Sequence, residues 1–146
     1  MKILVINGPN LNMLESRQDK YYGSSSLSAI EKKIRDEFPN HQFEFFQSNY
    51  EGAIIEKVHQ ASIEFDSLVI NPGGFSHTSV AIKDALDICN IPKIEVHLSN
   101  LALRENFRQV MLTASSCDGY LSGFLEQGYL AAIFILEKRF KNRTHP

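Results

Sequence analysis

The chain has 146 residues, enough for one domain with a single buried core. Its net charge of −2, from 15 basic and 17 acidic side chains, argues against a polyanion-binding surface as the main function, and no nucleic-acid partner is expected. No apolar run is long enough to span a membrane and no signal-peptide pattern opens the chain, so a cytoplasmic setting without membrane contact is expected.

The elements follow in chain order. Lys2–Asn7 (KILVIN) is an apolar, β-branched run cut off by Gly8, Pro9 and Asn10, which reads as a buried parallel strand. Leu27, Ile30, Ile34 and Phe38 recur at helical spacing, with Pro39 just beyond, and predict a helix over residues 26–38. Residues 42–49 (QFEFFQSN) read as a second strand, and Ile54, Ile55, Val58 and Ala61 mark a second helix. Ser67–Asn71 (SLVIN) is a third strand, stopped by Pro72, Gly73 and Gly74. A third helix is predicted over 78–89, through Val80, Ala81, Asp84, Ala85 and Ile88, with Ser76 or Thr78 as its cap. Lys93–His97 (KIEVH) is a fourth strand, followed by a short helix over 103–108. A fifth strand over 119–124 and a closing helix over 128–140 complete the series, and the polar tail 141–146 is expected to fray. Cys89 and Cys117 fit no metal or redox spacing and read as small buried hydrophobes.

This β-α alternation with short connections predicts an α/β fold: a parallel sheet with helices on both faces, in three layers. Five strands suit a flavodoxin-like open sheet of order 2-1-3-4-5, forming one domain over residues 1–146. In such sheets a ligand binds outside the carboxyl ends of the strands, near the switch between strands 1 and 3. Polar residues gather there: Asn7, Asn10 and Asn12; Asn71, Ser76 and His77; Glu95, His97, Ser99 and Asn100.

The loop after the first strand is long for a βα connection and carries Arg17, Tyr21 and Tyr22, so residues 15–26 read as a lid. Gly73 and Gly74 permit backbone to approach a ligand closely. The loop lacks a Walker lysine and the dinucleotide glycine pattern, so neither nucleotide class is supported. Glu95 and His97 alternate onto one face of their strand, where a carboxylate fixes the tautomer of an imidazole and supports its charge. His77 and His97 lack a third ligand at convincing spacing, so no metal is expected. Arg104 and Arg108, four apart, could meet a carboxylate or hydroxyls.

Taken together and in order, NGPNLN (residues 7–12), Arg17 with YYG five residues on, FFQSN, NPGGFSHTS, IEVHLSN and RENFR resemble the type II 3-dehydroquinate dehydratases. The resemblance implies trans dehydration of 3-dehydroquinate to 3-dehydroshikimate through an enolate, in the shikimate pathway of aromatic amino acid biosynthesis. It implies no metal, cofactor or Schiff base, and a dodecamer built from four trimers. By the same resemblance the catalytic tyrosine precedes the glycine and is Tyr22, the proton acceptor. Arg17 stabilises the transition state, His97 is the proton donor, Glu95 orients it, and Asn10 helps hold the enolate through a water. Asn71, His77, Arg108 and the backbone amides of Leu98 and Ser99, at a helix start, bind substrate. Asp84 reaches in from a neighbouring subunit. Chemistry asks for the arginine in any case: a free phenol is only about 0.1% ionised at neutral pH.

Departures from the family pattern are Glu15 in place of a common glycine, SRQD in place of Thr-Arg-Glu-Pro, and Tyr50 in place of a histidine. A non-catalytic flavodoxin-like binding or assembly protein is the competing reading. It leaves the Glu95–His97 pair unexplained. A phosphoacceptor domain is excluded, since Asn7, Gly8 and Asn71 stand where acidic residues are needed.

Overall fold

The computed structural model describes residues 1–144. Its five strands, β1 (Lys2–Asn7), β2 (Gln42–Gln47), β3 (Ser67–Asn71), β4 (Lys93–His97) and β5 (Gly119–Ser122), form one sheet of order β2-β1-β3-β4-β5. Every pairing is parallel, with Ile3 opposite Phe43 and Ser67, and Ile94 opposite Val69 and Gly119. The architecture is flavodoxin-like, as the alternation predicts.

Alternate side chains of each central strand feed opposite faces. Ile3, Val5, Val69 and Val96 pack with α2 (Leu27–Glu37) and α5 (Gln127–Thr144), through Ile30, Ile34, Ala132, Ile133 and Leu136. Leu4, Ile6, Leu68 and Ile70 pack with α3 (Glu51–Glu64) and α4 (Val80–Ile88), through Ile54, Val58, Ala61, Ile82, Ala85 and Leu86. Each fully buried aliphatic side chain contributes about 1.5–3 kcal/mol. The two layers fix the sheet, and with it the positions of the strand ends.

Local differences from the sequence reading have local causes. Helix α4 starts later than expected, because Ser79, not Thr78 or Ser76, caps it by accepting from the Ile82 amide at 2.9 Å. Its inward face is Ile82, Ala85 and Leu86, with Val80 and Ile88 57% and 74% exposed. The expected helix after β4 is two 3-10 turns, Leu101–Leu103 and Asn106–Gln109. The loop after β1 contains a 3-10 stretch, Leu11–Ser16, and, within the lid, a one-turn helix α1 (Asp19–Tyr22). Helix α5 runs past residue 140, its expected end, to Thr144, and residues 145–146 lie outside the described residues. Cys89 is buried and Cys117 half-buried, both as free thiols. Burial, then the nearby Glu95, pushes the Cys117 thiol up from its ordinary range.

Candidate active site

The carboxyl ends of β1 and β3 are locked together. The Gly8 amide donates to the Asn71 carbonyl at 2.7 Å. A Cβ on Gly8 would stand 2.4 Å from the Pro72 carbonyl oxygen, so only glycine fits. Gly73 takes φ of +61° with its α-carbon facing the Pro9 carbonyl. Gly73 thus serves loop-to-loop packing, and it lines the pocket together with Gly74, which has open space beside it. Beneath this corner, buried Tyr129 of α5 donates to Asn7 Oδ1 at 2.5 Å and accepts from Asn71 Nδ2 at 3.0 Å. Asn71 Oδ1 accepts from the Gly73 amide at 3.1 Å. The Asn71 amide plane is therefore fixed from both ends. Burial pushes the Tyr129 phenol up, so it stays a neutral donor.

On β4, His97 Nε2 donates to Glu95 Oε2 at 2.8 Å, with Glu95 fully buried and His97 5% exposed. Ser76 Oγ donates to the same oxygen at 2.9 Å, and Thr113 Oγ1 donates to Oε1. The His77 ring stacks on His97 with centroids 6.0 Å apart, and its Nδ1 donates to the Val110 carbonyl at 2.7 Å. Burial, followed by the neighbouring His97 and Arg108, sets the His77 imidazole below its ordinary range despite that hydrogen bond. Nε2 of a neutral His77 is then a bare acceptor.

The lid completes the pocket. Arg17 lies over the Tyr22 ring at 3.7 Å and donates to the phenol oxygen. Arg104 Nη1 donates to that same oxygen at 3.0 Å, and to Ser99 Oγ at 3.0 Å. The Arg104 guanidinium also covers the Tyr21 ring at 4.2 Å. Its side chain is only 5% exposed, and Nε is buried without a hydrogen-bond partner. Arg108 pairs with Glu105 at 2.7 Å. Burial, opposed by Tyr22 and aided by Arg108 and Arg104, lowers Arg17 from its ordinary value, yet arginine stays cationic. Any negative charge on the Tyr22 oxygen is thus matched by two cationic donors.

The pocket is lined by Arg17, Tyr22, Asn71, His77, His97, Leu98, Ser99, Arg104 and Arg108, with about 30 Å³ of free space. Three expected residues lie outside it. Glu95 is fully buried beneath the lining, bonded to His97. Asn10 is exposed in a left-handed turn (φ 68°) beside Leu11, which does line the pocket. Asp84 is exposed on α4 and does not reach its own chain's pocket. Leu98 and Ser99 precede a three-residue 3-10 turn rather than a helix start. Arg104 shows its role only here, because two turns, not one helix, aim it inward. Thr113 and Tyr129 carry no local pattern that would have singled them out. Among the described residues no group of His, Cys, Asp and Glu is placed to hold a metal ion.

Such a pocket joins a cation-held phenol, a carboxylate-backed imidazole and fixed amides, which suits proton transfers on an oxygen-rich anion. Comparison with known proteins agrees. The family model described as Dehydroquinase class II matches residues 1–137. A protein of Thermotoga petrophila named 3-dehydroquinate dehydratase is 47% identical, over 99% of this chain and 100% of its own. One of the same name from Caldicellulosiruptor bescii is 47% identical over 94% of this chain and 97% of its own. The crystal structure of type II dehydroquinase from Butyrivibrio crossotus matches with a TM-score of 0.91 and 45% identity, over 94% of this chain and 97% of that one. That of Propionibacterium acnes matches with a TM-score of 0.87 and 34% identity, over 93% and 96%. The chain belongs to the class II dehydroquinase family, the type II 3-dehydroquinate dehydratases, which are hydro-lyases.

Proposed function

We propose that this chain dehydrates 3-dehydroquinate to 3-dehydroshikimate by trans elimination through an enolate, in the shikimate pathway. The observation that carries this reading is the Tyr22 oxygen, held by Arg17 and Arg104 in the same pocket as His97, whose ring is bonded to buried Glu95. Tyr22, as phenolate, takes the proton at C2, alpha to the ketone. Arg17 balances the charge that moves from phenolate to enolate. His97 delivers a proton to the departing C1 hydroxyl, which leaves as water. Glu95 holds the His97 ring.

Asn71 and His77 present a fixed amide and a bare imidazole nitrogen to substrate hydroxyls. Arg108 meets polar groups, and the Leu98 and Ser99 backbone amides meet the carboxylate. Asn10, outside the lining, acts through a bound water. Asp84 serves the pocket of a neighbouring copy, in a homo-oligomer of trimers assembled as a dodecamer. The residues named need no metal or organic cofactor, and the free thiols suit the cytoplasm.

Tyr22→Phe tests the base. It keeps the ring and removes the hydroxyl, so kcat should fall by about 100-fold or more while KM stays within a few-fold. Near-normal turnover in Tyr22→Phe would mean another group takes the proton.

A further inference from the structure

Glu95 is fully buried at the heart of the pocket wall, and three groups converge on its two oxygens. His97 Nε2 and Ser76 Oγ meet Oε2 at 2.8 and 2.9 Å, and Thr113 Oγ1 meets Oε1. Ser76 and Thr113 are themselves 0% exposed. Each hydroxyl owns one proton. With both protons given to Glu95, the 3.1 Å approach of Ser76 Oγ to Thr113 Oγ1 has none left to share. Three donors on two oxygens is the pattern that stabilises a buried carboxylate, which would otherwise discharge.

The consequence falls on His97. Its Nε2 is committed to Glu95, so the only ring nitrogen left for a ligand is Nδ1. A ring that holds one proton on Nε2 can donate from Nδ1 only as imidazolium, and an imidazolium in this wall needs the Glu95 charge beside it. We propose that Ser76 and Thr113 are positioning residues that keep Glu95 ionised and thereby load the proton His97 donates. The inference rests on the reading of His97 as the acid. Other charged or titratable groups facing the pair are His77, stacked on His97, with Arg17, Tyr22, Arg104 and Arg108 around the pocket and the Cys117 thiol near Glu95.

The backbone holds this arrangement without the hydroxyls. The Leu112 and Thr113 amides donate to the Ser76 carbonyl at 3.0 and 3.3 Å. Thr113→Val, nearly the same in shape, should therefore fold.

The test reads the ring nitrogens of His97 by ¹⁵N-edited NMR in the resting protein across pH. In the unsubstituted protein, a form with both ring nitrogens protonated should be seen. At a pH where that form is present, Thr113→Val should reduce the ratio of imidazolium to neutral ring by roughly tenfold, and Ser76→Ala should act in the same direction. Thr113→Ser should restore the ratio. In turnover, Thr113→Val should lower kcat with KM little changed. An unchanged ratio in Thr113→Val and Ser76→Ala, a failure of Thr113→Ser to restore it, or a His97 ring that never holds two protons would overturn the proposal. These signals are read without substrate, so absent turnover of 3-dehydroquinate would defeat the proposed reaction and leave the ring measurement to decide this one.

Discussion

Arg17, Arg104 and Arg108 line one small pocket whose nearest carboxylate partner for two of them is exposed Glu105. Packing like charges together is unfavourable unless an anion joins them, and burial of Arg17 adds to that cost. The site is thus built to bind negative charge, whether on substrate or on the Tyr22 oxygen. His77 is the opposite case, a histidine kept neutral. Its folded value lies below the ordinary value near 6.5, chiefly through burial. The unfolded chain therefore gains protons first on acidification, and the stability His77 contributes, full above about pH 6.5, is lost as pH falls below it. His41, lowered by burial and the N-terminal amine, acts in the same direction. Urea unfolding at about pH 7.5 and about pH 5.5 should show that His77→Asn loses less stability on acidification than the parent protein. An equal loss in both would contradict the assignment.

The loops after β1 and β3 carry most of the pocket, and their mutual approach is an element-scale feature. Gly8→Ala forces a Cβ onto the Pro72 carbonyl, a backbone group that cannot swing aside. It should cost about 1–3 kcal/mol, seen as a lower urea midpoint. A wild-type midpoint would show that the two loops slide freely. The same scale explains what could be read from the sequence. Strands β1 and β3 are continuous apolar runs with abrupt polar ends, so their bounds and the site's location were legible. Glu95 and His97 were legible as a pair because strand alternation is strict. The inward face of α4 was not, since Val80, Ala81, Ile82, Ala85, Leu86 and Ile88 place apolar side chains on more than one of its faces. Arg104 and Thr113 depend on irregular chain after β4, where no period relates position to direction.

At the scale of the whole molecule, two apolar layers hold a parallel sheet whose carboxyl edge gathers the chemistry. The exposed stripe of Val80, Asp84 and Ile88 on α4 places a carboxylate between two uncovered aliphatic side chains. That surface, beside a cationic pocket, is where the proposed copy-to-copy contact would form. The whole arrangement carries one central claim: dehydration driven by Tyr22 and His97 with no covalent link to the substrate. Lysine is absent from the pocket lining. The most direct measurement adds 3-dehydroquinate to the purified protein and follows ultraviolet absorbance of the conjugated enone product, with and without prior borohydride treatment in the presence of substrate. Turnover that is undiminished by borohydride is the predicted result. Turnover abolished by borohydride would reveal an imine on lysine, and no turnover in either sample would contradict the proposed reaction itself.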